Sequence, residues 1–147
     1  LKLRARDEYK QYRQTIANGR LDRRSDRALQ RSMKTRMATL EQLKRRYENA
    51  QSSGDIPLQA MILSTLETEN RRFYRQIQSM PAPRGLSKAE RLQYSTLLDQ
   101  QSKPFLTTAD EAKENLEKTV PDNSKAMNEL EKALASPDTL QRRLATT

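Results

Sequence analysis

An all-α fold of long antiparallel helical hairpins is what this sequence predicts, on three observations. Apolar residues recur at steps of three and four along most of the chain. With 34% hydrophobic and 32% charged residues, there is material only for narrow buried stripes on amphipathic helices. Residues that break helices are gathered into short clusters, Asn18-Gly19, Ser52-Ser53-Gly54 and Met80-Pro81-Ala82-Pro83. Three glycines in 147 residues argue against a compact sheet, and the length suits a single domain over 1–147.

The elements follow in order. Ala5, Tyr9, Tyr12 and Ile16 share one helical face and predict a helix over 2–18, stopped at Asn18-Gly19. Asp22 or Ser25 then caps a second helix over 23–51, whose stripe is Leu29, Met33, Met37, Leu40, Leu43, Tyr47 and Ala50. Asp55 caps a third over 56–79, with Pro57 in its first turn, where a missing amide hydrogen is harmless. Its stripe is Ile62, Leu66, Asn70, Phe73 and Ile77, broadened by Leu58, Met61 and Leu63. Pro81 and Pro83 end it, since each removes a donor and biases the preceding residue away from helix.

Ser87 and Glu90 have the spacing of a capping box and open a fourth helix over 88–119. Tyr94, Leu98, Phe105, Ala109, Ala112 and Leu116 keep one phase through Pro104, so the expectation is one helix kinked there; a second box at Thr108–Glu111 allows a restart instead. Shorter helices are expected over 125–134, capped by Ser124, and over 137–145, carrying Leu140 and Leu144. Pro81, Pro83, Gly85, Ser87, Glu90 and Pro104 read together as a structural elbow that sets the angle at which one long helix returns on another.

The elbow also carries a resemblance. Gly54-Asp55, a helix of two dozen residues, Pro81-x-Pro83-x-Gly85-Leu86-Ser87, then Glu90, Tyr94, Leu97-Leu98, Pro104 and Ala109 to Ala112 resemble the C-terminal repeat region of tetratricopeptide-repeat (TPR) proteins of the deltaproteobacterial cell envelope, of the type associated with gliding motility. The similarity covers residues 40–120, with Tyr47 matching the aromatic that closes the preceding helix. Glu67 and Tyr74 depart from the small residues of that family's corresponding helix. The resemblance implies a right-handed helical repeat that binds proteins, and a periplasmic or envelope location; the composition itself leaves the cytoplasm open. Leu1 in place of an initiating Met leads us to expect a fragment of a larger repeat protein.

Composition narrows the function classes. The absence of Cys and His removes thiolate and imidazole chemistry, and the carboxylate groupings Glu67 with Glu69, and Asp110 with Glu111 and Glu114, have no accompanying phosphate loop. No enzyme activity, cofactor or metal is therefore expected. No window of the chain is apolar enough to span a membrane. The net charge of +9 is concentrated in residues 1–53, where 15 Lys and Arg face 6 Asp and Glu. Arg20, Arg24, Arg27 and Arg31 are read as one strip on the second helix, joined by Arg45 and Arg46 and by Arg71, Arg72 and Arg75 on the third.

That cationic set is the candidate binding face, for a protein partner with an acidic surface. The bland alternative is a solvated face paired internally with Asp22, Asp26, Glu41 and Glu48. Two further readings stay open: a basic helical domain that binds nucleic acid, and a structural protein that associates with itself through its helical stripes. Met33 and Met37 are read as core filler or an adaptable contact surface, and Asn70 as the edge of the buried face or a register-setting polar residue.

Overall fold

The computed structural model describes residues 2–119 and 124–135. They form α1 (Lys2–Asn18), α2 (Asp26–Ser53), α3 (Ile56–Gln78), α4 (Lys88–Thr119) and α5 (Ser124–Ala135), with no strand among the described residues. The protein is all-α, and no described helix is long and apolar enough to cross a membrane. The described residues gather into two compact units, the first running to Ile62 and including α5, the second spanning Leu63–Lys118. The short helix expected over 137–145 lies outside the described residues.

In the first unit α1 and α2 run in opposite directions. Glu8 meets Arg46, Tyr12 meets Thr39 and Ile16 meets Arg36, so partners advance along one helix as they retreat along the other. Ala5, Tyr9 and Ile16 are buried as their spacing predicts, with Leu40, Leu43 and Ala50 from α2, Leu58 and Ile62 from α3, and Leu130 and Leu134 from α5. Arg13 of α1 pairs with Glu131 of α5.

Helix α2 starts three residues later than expected. Ser25 is the N-cap, its Oγ accepting the Ala28 amide hydrogen at 3.1 Å. Asp22 is spent elsewhere: it accepts from the backbone and the guanidinium of Arg24, which hold its carboxyl down to about 2. Gly54 closes the helix at φ 70°, a left-handed conformation suited to glycine, and its N–H reaches Ala50 and Gln51.

Directly after that cap stands Asp55, 1% exposed. Its carboxylate accepts the Leu58 amide hydrogen at the start of α3 and both Nε and a terminal nitrogen of Arg6, at 2.5 and 2.9 Å. Its own N–H donates to Ala50 at 3.2 Å. Burial pushes the carboxyl up, but the hydrogen bonds from Arg6 and Leu58, with the charges of Arg6 and Lys2, outweigh it and leave the pKa below the ordinary value.

In the second unit α3 and α4 are also antiparallel, since Arg71 pairs with Asp110 at 3.1 Å, Phe73 stacks edge-on against Phe105 at 4.6 Å, and Gln78 donates to both Asp99 and Ser102 at 2.7 Å. Leu66, Phe73 and Ile77 are buried. Between the helices, Gly85 takes φ +83°, and Ser87 and Glu90 complete the capping box reciprocally at 3.1 and 3.2 Å. The bond from the Ser87 amide, with a smaller contribution from the Ser87 side chain, holds the Glu90 carboxyl below its usual range. The Tyr94 hydroxyl donates to the Pro81 carbonyl at 3.2 Å and ties the loop to α4.

Pro104 does not belong to this turn. It lies inside α4, which is continuous across it, and the box at Thr108–Glu111 goes unused; the Thr108 hydroxyl instead donates to the Pro104 carbonyl at 3.0 Å. The buried faces of Leu98, Ser102, Ala109 and Ala112 on either side of the proline share one phase, which is why the helix has no reason to stop.

Replacing Asp55 with Ala removes a helix cap and the carboxylate partner of Arg6, and is expected to cost about 2 kcal/mol in denaturant unfolding. Because the folded carboxyl is depressed, its contribution is fully present above the unfolded value of about 4 and is lost as pH falls through the lower folded value. Acid titration by circular dichroism should therefore show a shallower low-pH loss of stability in Asp55→Asn than in the parent.

Candidate functional site

The cationic residues divide by what their side chains touch. Arg20 and Arg24 lie in the segment before α2, not on it, so the strip expected from Arg20 to Arg31 is a helical feature only from Arg27 onward. Arg24 is exposed and tied to Asp22 at 2.7 Å. Arg27 and Arg31 are exposed one turn apart, and the same face continues at steps of three and four through Lys34, Ala38, Glu41, Arg45 and Glu48, all exposed. Among the described residues Arg27, Arg31, Lys34 and Arg45 make no ion pair. The opposite side of α2 holds Ala28, Arg36, Thr39, Leu43 and Ala50, all buried.

Arg46 is turned inward. It donates to Glu8 at 3.2 Å and lies 5.6 Å over the ring of Tyr12, whose hydroxyl donates to the Thr39 carbonyl at 2.9 Å. Burial, opposed by the hydrogen-bonding side chain of Thr39 and by the charges of Arg46 and Arg36, raises the Tyr12 phenol. Arg71, Arg72 and Arg75 belong to the second unit: Arg71 bridges to Asp110, Arg72 stands 3.8 Å from Glu69, and Arg75 is exposed near the end of α3. The structure thus groups Arg27, Arg31 and Arg45 on one helix face and gives Arg46 and Arg71 packing roles.

The buried phase of α2 differs from the expected stripe. Met37 is 49% exposed, whereas Arg36 is 2% exposed and donates to the Ile16 carbonyl at 3.1 Å, near the end of α1. A guanidinium suits that place because the last carbonyls of a helix lack intrahelical donors and carry the negative end of its dipole. Gly19 makes the approach possible: a Cβ there would run into the Arg36 guanidinium. No local sequence signal marks Arg36, because its partner belongs to another helix.

Around Arg36 opens a cleft of about 350 Å³. Thr15, Asn18 and Arg20 line it from the end of α1 and the turn; Ser32, Thr35, Arg36 and Thr39 line it from successive turns of α2. A second cleft of about 260 Å³ lies at the other end of this pair, bordered by Arg4, Glu8, Asn49 and Ser52.

Other singled-out residues have local explanations. Asn70 is buried rather than at an edge, and its amide donates to the Leu66 carbonyl of its own helix at 2.8 Å. Asp110 and Glu114 are engaged with Arg71 and Lys118. No group of three or more metal-ligating side chains occurs among the described residues. Compared with protein-family models, with curated proteins and with solved structures, the chain matches none.

Gly19→Ala is expected to destabilise the parent by about 1 kcal/mol, because the buried guanidinium must give way. In an Arg36→Ala background the same change should cost less, and a double-mutant cycle read by thermal unfolding measures the difference.

Proposed function

We propose that this protein is a non-catalytic binding module whose outward α2 face receives an acidic protein partner. The observation that supports this most is the strip of exposed cations Arg27, Arg31, Lys34 and Arg45, which form no salt bridge among the described residues and share α2 with the exposed Met37. Uncommitted charges accelerate and orient association with a surface of opposite sign, and a flexible methionine adapts to the apolar part of such a contact. Glu41 and Glu48 lie in the same strip, which suits a protein surface of mixed charge better than an unbroken line of phosphates.

The setting comes from the resemblance to envelope TPR proteins. On that reading the two antiparallel helix pairs are part of a right-handed repeat, the chain is a segment of a longer scaffold, and its place is the periplasm or the cell envelope.

Affinity capture at physiological salt tests this, using lysate of the source organism split into nuclease-treated and untreated halves. The parent chain should retain the same proteins in both halves, and the triple variant Arg27→Glu, Arg31→Glu, Lys34→Glu should retain at least about tenfold less. Retention that disappears with nuclease assigns the strip to nucleic acid and overturns the proposal. Sedimentation of the chain alone separates off self-association, which would show as a mass rising with concentration.

A further inference from the structure

The outer face of α2 is ordered as well as charged. Arg27, Arg31, Lys34, Ala38, Glu41, Arg45 and Glu48 succeed one another at alternating steps of four and three, and every one of them is exposed. That alternation averages about 3.5 residues, the period of a seam that a second helix can track along its length. We infer that the partner docks here as an α-helix laid lengthwise along α2, with carboxylates facing Arg27, Arg31, Lys34 and Arg45 and cations facing Glu41 and Glu48. This deepens the binding role proposed above, on which it rests, by fixing the form and the charge order of the acidic partner.

Three observations carry it. From Arg27 to Leu40 the chain holds no carboxylate at all. Arg27 with Arg31, and Arg31 with Lys34, are like charges at the spacings that meet on a helix surface, and such pairs destabilise the helix that bears them. Carboxylates brought by a partner relieve this repulsion, which nothing on α2 itself does. The second observation is one of pitch. Side chains along one face of a partner helix recur at the same mean rise as the strip, about 5.3 Å, and stay level with it over the whole length of about 32 Å. Alternate side chains of an extended chain recur at about 6.7 Å, and are about a full position out of step after four contacts. Third, Glu41 and Glu48 interrupt the cations, so a partner of unbroken negative charge, such as a phosphate backbone, is repelled at both places. A helix whose side chains change sign in the same order meets no like charge. Ala38, at the middle of the strip, lets the two helices approach closely.

Three labelled synthetic peptides of identical composition test this. Two carry Glu, Lys and Ala on one helical face in the order that complements the strip, one for parallel and one for antiparallel alignment; the third has the same residues permuted around the helix. Binding to the intact chain is read by fluorescence anisotropy at physiological ionic strength, and peptide conformation by its carbon chemical shifts. One of the two ordered peptides should bind at least about tenfold tighter than both isomers and become helical on binding. Arg31→Ala and Lys34→Ala should each weaken it several-fold without changing the circular dichroism of the protein, and Lys113→Ala, at an exposed side chain of α4, should leave it unaltered. Equal binding of the two orders, equal binding of the permuted isomer, no saturable binding, or binding without gain of helix overturns the inference. So does displacement of the peptide by a short DNA duplex at concentrations below the peptide's own Kd, which assigns the face to phosphates. The two readings fail separately: if the charge-reversed triple variant loses its captured proteins while all three peptides bind alike, the binding role stands and the helical partner falls. If capture is indifferent to the triple variant, the binding role itself falls.

Discussion

Asp55 holds three helices at one point. Its carboxylate takes the guanidinium of Arg6 from α1, its amide hydrogen goes to Ala50 near the end of α2, and its side chain supplies the first acceptor of α3. A carboxylate in so buried a place is tolerated because its oxygens are met by a charged fork and a backbone donor, and the result is a fixed corner at the entry to α3. This corner joins the bonds between α1 and α2 in holding the hairpin whose register brings Arg36 to the end of α1. The candidate face on α2 therefore depends in part on an interaction outside it.

Much of this architecture is legible in the sequence where the cause is local. The caps at Ser87, Gly54 and Asp55 follow from residue type and spacing, as do the buried stripes of α1 and α3. What is illegible is non-local. Asp55 is recognisable as a cap, but its pairing with Arg6, 49 residues away, is not. Likewise an arginine and a threonine on α2 look like surface residues until the carbonyl of Ile16 and the hydroxyl of Tyr12 are placed opposite them. Met37 faces outward on the same helix that buries Arg36, while Met33 is half-buried.

A chain this basic uses its arginines in two distinct ways. Arg6, Arg36 and Arg46 face inward and are held by carboxylates, a carbonyl and an aromatic ring, so their charge is part of the packing. Arg27, Arg31 and Arg45 face water. Net charge alone does not distinguish the two groups, which is why a count of cations overstates the surface available to a partner. With no His in the chain, this division does not change across the neutral pH range.

The three cross-links of the first hairpin, Glu8 with Arg46, Tyr12 with Thr39 and Ile16 with Arg36, are directional bonds spaced along both helices. Apolar seams tolerate sliding, because one leucine replaces another. A slide by one turn, about 5.4 Å, would break all three of these bonds together. Neither helix can gain or lose a residue between its anchors without the other matching it, whereas the seven residues from Gly19 to Ser25 lie outside the anchored stretches. The turn can therefore change length without moving any of these three bonds out of register.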